Sequence, residues 1–192
     1  MKLLLLALLA LAEAEPNISK QISKSPQLYH NISKAVQTGY CESGWTYYNE
    51  TDACYKEFFS EPWSSAESLC VTVETHLTSI HSYKENSFIA ELTRTNMKLP
   101  DDTYATWIGL VRADYLNSNW AAKWMWTDGS MVDFQTWGPK QPNGGADQRC
   151  VLIFSDPYTN DPPGLWYRKW NDWHCDSNLR SFVCKKTALH WK

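Results

Sequence analysis

Two short polar motifs, far apart in the chain, carry side chains that could bind a cation. Gln141-Pro142-Asn143 places two amides around a proline, and Trp170-Asn171-Asp172 places an amide and a carboxylate three residues before Cys175. Amide and carboxylate oxygens are ligands of Ca²⁺, which takes roughly six to eight oxygen atoms in a flexible geometry. The two motifs therefore predict a polar binding site assembled from two separate segments.

The N-terminus and the cysteines both predict a secreted protein. Met1 and Lys2 precede an apolar run over residues 3–12, and Ala12-Glu13-Ala14 is typical of a signal-peptide cleavage site. The run is too short for a membrane span, which needs about 20 apolar residues. In a secreted chain an even number of cysteines favours disulfides over metal or redox chemistry. They are Cys41, Cys54, Cys70, Cys150, Cys175 and Cys184.

Charge and short motifs narrow the set of partners. The net charge of -3 and the pI near 5.9 provide no basic surface for nucleic acid or for an anionic membrane. Three sequons begin at Asn17, Asn31 and Asn49, and they predict glycosylation in an extracellular compartment. Nucleic acid and anionic membranes are therefore not the expected partners.

The chain is expected to contain one folded domain behind a leader. Residues 1–14 are the predicted signal peptide, 15–39 a flexible and glycosylated stalk, 40–186 the domain, and 187–192 a short tail. The stalk is rich in Ser, Lys, Asn and Gln, and it has too little apolar surface to fold alone. The alternative for the stalk is a peptide that becomes ordered against a partner.

Local patterns predict a hairpin, two helices and several short strands. Aromatic-rich residues 45–48 and 53–58 flank a polar turn, which is typical of a hairpin that brings Cys41 near Cys54. Two capping boxes, Ser64 with Glu67 and Ser82 with Glu85, predict a helix after each. The first helix should bury one face, and the second should end before Pro100. The buried face is expected to hold Ala66, Leu69, Cys70 and Val73.

The second half of the chain predicts short strands joined by long connections. Apolar pieces at residues 107–110, 124–126, 150–154 and 182–184 alternate with segments rich in Gly, Pro, Asn and Asp. The connection at residues 127–149, called the long loop below, contains the proline motif. Irregular loops of this length usually have a function.

The residues quoted so far resemble the C-type lectin-like domain family in its long form, which has an extra N-terminal cysteine pair. The likeness runs from Cys41 to Cys184. It rests on the order and spacing of the six cysteines, on Trp107-Ile108-Gly109-Leu110, on the proline motif, and on Trp170-Asn171-Asp172. The resemblance implies an α+β fold with two helices, short antiparallel sheets, a long irregular loop region and three disulfides.

Spacing alone leaves the disulfide pairing open, whereas the resemblance implies one arrangement. Six cysteines allow fifteen pairings. The resemblance implies that Cys41 is joined to Cys54, Cys70 to Cys184, and Cys150 to Cys175. The last bridge would tie the long loop to the strand that carries Asn171 and Asp172.

The resemblance also implies a ligand set. In calcium-dependent members of the family, the proline motif and the Asn-Asp pair hold one Ca²⁺, and two neighbouring sugar hydroxyls complete its coordination. Transferred to this sequence, the ligands of both metal and sugar are Gln141, Asn143, Asn171 and Asp172. A cis peptide bond before Pro142 is expected, because it would aim Gln141 and Asn143 at one point.

The sequence departs from the family at the charged positions. Mannose-type members resemble Glu-Pro-Asn and galactose-type members Gln-Pro-Asp, whereas Gln141-Pro142-Asn143 has two neutral amides. Gln148 stands at the place of another acidic ligand, and Asp147 would substitute if the loop shifts by one residue. Extracellular calcium modules bind at only about 10⁻⁴ to 10⁻³ M, tuned by ligand charge. Both a calcium-loaded and a calcium-free site therefore stay open.

Other candidate residues are expected to have simpler roles. Trp173 and His174 are candidates for stacking on a sugar ring, while Trp137 and Trp170 are expected in the core. Arg112, Gly144 and Arg149 stand where a second calcium site would need acidic residues, so no second cation is expected. Asp156 and Asp161 belong to a segment that either brings a replacement carboxylate or, as its Pro and Gly content favours, forms an exposed loop.

These observations predict a secreted carbohydrate-binding module that recognises sugar hydroxyls through the long loop, with Ca²⁺ as the candidate cofactor. The alternative is a calcium-independent module of the same fold that recognises protein or has a structural role. An enzyme is not expected, because no Ser-His, Cys-His or metal-hydrolase spacing is recognisable. The scattered histidines also provide no zinc pattern.

Overall fold

The computed structural model describes residues 39–115, 123–144, 147–159, 162 and 164–191. The predicted signal peptide, the stalk up to residue 38, Asn17, Asn31 and Asp161 lie outside these residues. The chain forms two compact units. One unit is Tyr40–Ala188, and the other, Met1–Gly39 with Leu189–Lys192, is described only at Gly39 and residues 189–191. Within the described residues, no helix is long and apolar enough to cross a membrane.

The Tyr40–Ala188 unit has the predicted α+β fold with two helices, and its described residues form eight strands. In chain order the elements are β1 (Thr46–Tyr48), β2 (Ala53–Glu61), α1 (Trp63–Thr72), β3 (His76–Leu77), α2 (Tyr83–Leu92), a 3₁₀ turn (Asp102–Tyr104), β4 (Thr106–Arg112), β5 (Trp124–Trp126), β6 (Cys150–Ile153), β7 (Trp170–Trp173) and β8 (Leu179–Thr187).

The strands form one mixed sheet in the order β1-β2-β8-β4-β6-β7, with β3 beside β8 and β5 beside β4. Neighbouring strands are antiparallel except β4 and β8, which run parallel. The hairpin β1–β2 forms one edge of the sheet, and β7 forms the other. The motif Trp170-Asn171-Asp172 therefore lies on an edge strand, next to β6.

Three disulfides have the pairing that the resemblance implies. Cys41 is bonded to Cys54, Cys70 to Cys184, and Cys150 to Cys175. The second bridge joins α1 to β8, and the third joins the start of β6 to the residue that follows β7 and His174. The three bridges thus join the segment before β1, helix α1 and the residues after β7 to strands of the sheet.

The second predicted capping box is confirmed at its N-cap. Ser82 precedes α2, and its hydroxyl oxygen accepts a hydrogen bond from the Glu85 backbone N–H at 3.1 Å. The Glu85 carboxylate is buried and turns inward, where it accepts hydrogen bonds from Tyr55 Oη at 2.7 Å and Lys185 Nζ at 2.7 Å. The helix ends at Leu92, before Pro100.

The first predicted capping box is wrong. Helix α1 begins at Trp63 after Pro62, so Ser64 lies inside the first turn and no side chain caps the helix. The Glu67 carboxylate instead accepts a hydrogen bond from the Leu77 N–H at 2.9 Å and contacts His76 Nδ1. The predicted buried face is only half correct, because Ala66 and Cys70 are buried while Leu69 and Val73 are 43% and 40% exposed.

The core surrounds β4, the strand that carries Trp107-Ile108-Gly109-Leu110. All four of these residues lie in the buried part of the strand. A side chain at Gly109 would place its Cβ 2.5 Å from the Leu77 carbonyl oxygen, so only glycine allows β3 and β4 to approach this closely. Trp170 of β7 is fully buried, as predicted, and packs edge-on against Trp126 at 5.7 Å.

The segment between β6 and β7, residues 154–169, is named here the β6–β7 insertion, and its start is not the exposed loop that its composition favours. Asp156 is buried, and its carboxylate accepts hydrogen bonds from Thr95 N at 2.7 Å and Asn96 N at 3.0 Å. Neither oxygen is thus directed to the predicted calcium site. Backbone hydrogen bonds from Leu99 N to Pro157 O and from Thr159 N to Leu99 O continue this attachment.

Candidate functional site

A pocket of about 610 Å³ brings the two predicted motifs together at the β7 edge. This volume lies within the range of small-molecule sites, about 300 to 1,000 Å³. Its polar lining comes from Asp102, Gln141, Asn143, Gln148 and Asn171. Its apolar lining comes from Phe154, Tyr158, Pro162, Leu165, Trp166 and Trp173. The predicted site therefore has a second wall, which the β6–β7 insertion provides.

Strand alternation explains which residues of β7 face the pocket. Successive side chains in a strand point to opposite faces. Asn171 and Trp173 both line the pocket, while Trp170 packs into the core. Asp172 lies on the same side of the strand as Trp170 and is 2% exposed.

Three amide oxygens at this site lack hydrogen-bond partners. They are Gln141 Oε1, Gln148 Oε1 and Asn171 Oδ1, which are buried and unpaired among the described residues. An unpaired buried acceptor costs about 1 to 3 kcal/mol. Because the three side chains that have these oxygens line one pocket, a ligand that donates hydrogen bonds or carries positive charge would complement them.

Asp172 holds the long loop in place through its carboxylate. Its Oδ1 accepts a hydrogen bond from Asn143 N at 3.0 Å, and its Oδ2 accepts one from Gly144 N at 2.9 Å. Both oxygens are thus engaged by the backbone of the proline motif. The peptide bond between Gln141 and Pro142 is cis, as expected.

Gly144 leaves the space that Gln148 occupies. A Cβ at Gly144 would lie 2.1 Å from Gln148 Oε1 and 2.2 Å from Gln148 Cβ. Any larger residue at position 144 would push the Gln148 side chain out of its place in the pocket lining. Position 144, where a second calcium site would need an acidic residue, is thus occupied by a glycine that leaves room for the Gln148 amide.

Two of the predicted candidates lie elsewhere. Asp147 and His174 are exposed and line a different depression, together with Tyr115, Arg149 and Asp176. Arg149 stacks over the Tyr115 ring at 5.3 Å, and Arg112 pairs with Asp114. The structure thus brings Gln148, rather than Asp147, to the proline motif.

The tryptophans near the motifs have different surroundings. Trp137 is partly buried, contacts Trp170 edge-on at 6.0 Å, and donates its Nε1–H to Gln135 Oε1 at 2.7 Å. It belongs with the core, as predicted. Trp173 lines the pocket, and its Nε1–H has no acceptor among the described residues. The indole N–H of Trp173 is therefore an unpaired donor on a residue of the same pocket lining.

Asp102 is a site residue that the sequence did not reveal. It lies in the 3₁₀ turn before β4, lines the pocket, and accepts a hydrogen bond from Asn171 Nδ2 at 3.1 Å. Burial raises the pKa of the Asp102 carboxyl to about 6, the Asn171 amide counteracts this shift, and the Asp101 charge adds to it. The contact spans 69 positions in the sequence, so no local spacing indicates it.

The side-chain oxygens of this site suit Ca²⁺ as ligands in chemical type, but they supply little negative charge. Unpaired side-chain oxygens are suitable ligands for this ion, and three residues of the pocket lining each have one. All three are neutral, and both oxygens of Asp172 already accept backbone hydrogen bonds. Within the described residues, no group of three or more His, Cys, Asp or Glu side chains could hold a metal ion.

Comparison with known proteins identifies the fold family. The family model described as Lectin C-type domain matches residues 59–186. The type-2 ice-structuring protein of Brachyopsis segaliensis is 27% identical over 188 residues, which is 97% of each chain. The low affinity immunoglobulin epsilon Fc receptor of Mus musculus is 30% identical over 161 residues, which is 82% of this chain but only 40% of that relative.

Solved structures point the same way. The cow C-type carbohydrate-recognition domain of CD23, crystallised in the presence of GlcNAc2Man3 oligosaccharide, has a TM-score of 0.59 at 26% identity. The match covers 78% of this chain and 98% of that one. A calcium-independent type II antifreeze protein has a TM-score of 0.58 at 27% identity, over 78% and 95% of the two chains. With its family-model match, three disulfides and mixed sheet, the chain belongs to the C-type lectin domain family.

Proposed function

We propose that this chain is a secreted carbohydrate-binding module whose ligand site is the pocket at the β7 edge. The observation that supports this most strongly is that three residues lining a single pocket, Gln141, Gln148 and Asn171, each have a buried amide oxygen without a hydrogen-bond partner. Sugar hydroxyls donate hydrogen bonds to such acceptors, and Trp173 Nε1 offers a donor for a ring or hydroxyl oxygen. The partner is a glycan or a glycoprotein, and the role requires no catalysis.

The lining also matches the amphipathic nature of a sugar. One wall is polar and belongs to the long loop and β7, while the other contains Tyr158, Trp166 and Leu165 of the β6–β7 insertion. A pyranose ring has hydroxyls at its rim and C–H groups on its faces, and aromatic rings pack on those faces. Gln141, Asn143, Asn171 and Trp173 are the proposed contacts, and Asp172 contributes by holding Asn143 in position.

Calcium enters the proposal as a weakly bound cofactor. Gln141, Gln148 and Asn171 would hold the ion, which when bound supplies open coordination positions for two hydroxyls. The neutral ligands place its expected dissociation constant near or above about 10⁻³ M. Direct hydrogen bonding between the amides and the sugar does not depend on the ion.

A glycan array probed in calcium and again in chelator tests the proposal. We expect binding to a restricted set of glycans in calcium, with part of it retained in chelator. Asn143→Ala and Gln148→Ala should each weaken the best signal about tenfold, which is the effect of roughly 1.4 kcal/mol. Asn178→Ala, an exposed asparagine that lines a different depression, is the matched control and should change nothing. An empty array in both buffers would overturn the proposal.

The second candidate function is calcium-independent recognition of a protein or a structural role. It is favoured by the two backbone hydrogen bonds that occupy the Asp172 carboxylate and by the absence of charge on Gln141 and Gln148. A pull-down with glycosidase-treated and untreated glycoproteins separates the two functions. Equal capture after removal of the glycans would support protein recognition.

Secretion and glycosylation belong to the same proposal. Three disulfides in a chain of this size are typical of an oxidising compartment. Asn49 is exposed in the turn between β1 and β2, where it is accessible to modification. Mass spectrometry of protein secreted by cultured cells, before and after treatment with a glycosidase, would detect a shift at Asn49.

A further inference from the structure

Asp102 is an uncompensated carboxylate in the wall of the pocket. It is the one charged side chain among the described residues that line the pocket. The Asn171 side chain that donates a hydrogen bond to Asp102 is a neutral amide. No cationic side chain among the described residues forms an ion pair with Asp102. Moving a carboxylate out of water without a counter-charge is unfavourable. The missing positive charge would therefore be supplied by a bound ligand.

Aromatic rings line the same pocket as this carboxylate. The centroids of Phe154 and Trp166 are 5.4 Å apart at 77°, and those of Tyr158 and Trp166 are 6.4 Å apart at 71°. Phe154 is only 1% exposed, so the partly buried rings of Tyr158 and Trp166 are the ones that a ligand in the pocket would contact. Cations are attracted to aromatic faces within about 6 Å, and aromatic cages recognise organic ammonium groups in this way.

Both ends of the β6–β7 insertion are held to the rest of the fold by hydrogen bonds. Asp156 anchors the β6–β7 insertion to the chain after α2, and Asn86 Nδ2 donates a hydrogen bond to Arg168 O at 2.8 Å near its other end. Trp166 lies directly over Gly138, where a Cβ would come within 2.2 Å of its ring. A preformed wall reduces the entropy that binding costs.

Charge, rings and amide acceptors together define one ligand chemistry. We propose that the pocket selects an amino sugar with a free ammonium group, which pairs with the Asp102 carboxylate while neighbouring hydroxyls reach the amide oxygens. The inference rests on the proposed carbohydrate-binding function and specifies its ligand class. Asn171 joins the two parts of the pocket, because its Nδ2 contacts Asp102 and its Oδ1 is one of the unpaired acceptors.

The same chemistry predicts which sugars are disfavoured. An N-acetylated amine has no charge and leaves Asp102 uncompensated. A sugar acid would add a second negative charge to a pocket in which the described lining contains no Lys, Arg or His. Like charges in a partly buried site repel, so acidic sugars should be rejected.

Three matched trisaccharides test the inference: the β1,4-linked trimers of glucosamine, N-acetylglucosamine and glucose. They share the β1,4-linked sugar backbone and differ in the group at C2, which is an ammonium, an acetamide or a hydroxyl. Calorimetric titration into the whole protein at neutral pH, in chelator to remove competing Ca²⁺, should give the glucosamine trimer at least fivefold tighter binding than the other two. Asp102→Asn should reduce that preference to within about twofold, with thermal melting to verify that the variant is folded.

Asp101→Asn is the control, because it removes one charge from the same turn at an exposed side chain that does not line the pocket. It should retain the preference for the glucosamine trimer. Equal binding of all three trimers, or no binding of the glucosamine trimer, would overturn the inference. An equal loss in the Asp101 and Asp102 variants would also overturn it, since general surface charge would then explain the effect. Equal binding of the three trimers would overturn only the preference for an amino sugar and would leave the carbohydrate-binding proposal in place. An empty glycan array would overturn both proposals.

Discussion

At the scale of single residues, the pocket combines groups that are unfavourable for stability and useful for binding. Asp102, whose carboxyl pKa is raised, and the three side-chain amides with unpaired oxygens are such groups. Such groups concentrate at functional sites, where a ligand later compensates them. The ordinary pairing of Glu85 with Lys185, by contrast, contributes to the fold alone.

Asp102→Asn should stabilise the ligand-free protein at pH 7 by about 1 to 2 kcal/mol, a range reduced for partial solvent screening. The folded-state pKa of about 6 lies above the unfolded value near 3.9. The folded state therefore loses stability as pH rises from about 4 to about 6, and the variant avoids this loss. Urea unfolding at pH 7 and at pH 4 measures it. A gain of equal size at both pH values would contradict the assignment to ionisation.

Gln141→Glu should strengthen calcium binding about tenfold. A carboxylate replaces one neutral amide oxygen at the pocket, and about 1.4 kcal/mol of added attraction corresponds to a factor of ten. Calcium titration followed by tryptophan fluorescence provides the readout, since Trp173 lines the same pocket. Weaker binding than in the wild type would mean that residue 141 does not face the ion.

At the scale of elements, the site depends on how three segments are fastened to one another. The long loop is held by Asp172, the β6–β7 insertion by Asp156, and β7 by its pairing with β6. The Cys150–Cys175 disulfide closes a segment with a sequence separation of 25. Each attachment restrains a different wall of the pocket.

Replacing Cys150 and Cys175 by alanine should cost about 3 to 4 kcal/mol of stability, from the closure entropy of that segment. Glycan binding should also weaken at temperatures where the variant remains folded, because the insertion and β7 lie within the closed segment. Replacing Cys41 and Cys54, which lie at the other edge of the sheet, should cost about 3 kcal/mol and leave binding intact. Denaturant unfolding and glycan binding are measured on both variants. Equal binding losses would refute the local effect.

Gly138→Ala should displace Trp166 and damage the aromatic wall. The new Cβ would lie 2.2 Å from the Trp166 ring, a distance that requires either the ring or the loop to move. We expect ligand binding to fall at least fivefold, whereas Gly129→Ala, where the added Cβ meets nothing within 4 Å, should retain binding despite its left-handed backbone. Changes in the aromatic NMR signals of Trp166 would report the displacement. An unchanged Trp166 spectrum would contradict it.

Local signals predicted the elements better than the contacts between them. The Ser82 cap is predictable from the sequence because the N-cap residue and its partner are three residues apart. The capping role predicted for Glu67 is wrong, because residues 76 and 77 compete for its carboxylate. The proline motif and β7 were brought together through the family resemblance. The place of Asp102 in the pocket and the burial of Asp156 could not be predicted, because the partners of these residues lie 69 and 61 positions away.

At the scale of the whole molecule, the Tyr40–Ala188 unit has its own core and all three disulfides. The fragment 40–188 should therefore fold alone, with a melting temperature close to that of the longer chain and unchanged glycan binding. A fragment ending at residue 178 lacks β8 and Cys184, and it should fail to fold. Thermal melting of both fragments measures this. A large loss of stability in the 40–188 fragment would show that the remaining residues contribute to the fold.

Both ends of this unit are fastened to the start of β2. Cys41 is bonded to Cys54, and Ala188 N donates a hydrogen bond to Asp52 O at 3.1 Å. The pocket belongs to the opposite edge strand, β7. If copies of this unit were joined end to end by short linkers, the pocket of every copy in the tandem array would therefore remain accessible. Such an array would convert weak single-site contacts into strong avidity for a polymeric sugar surface.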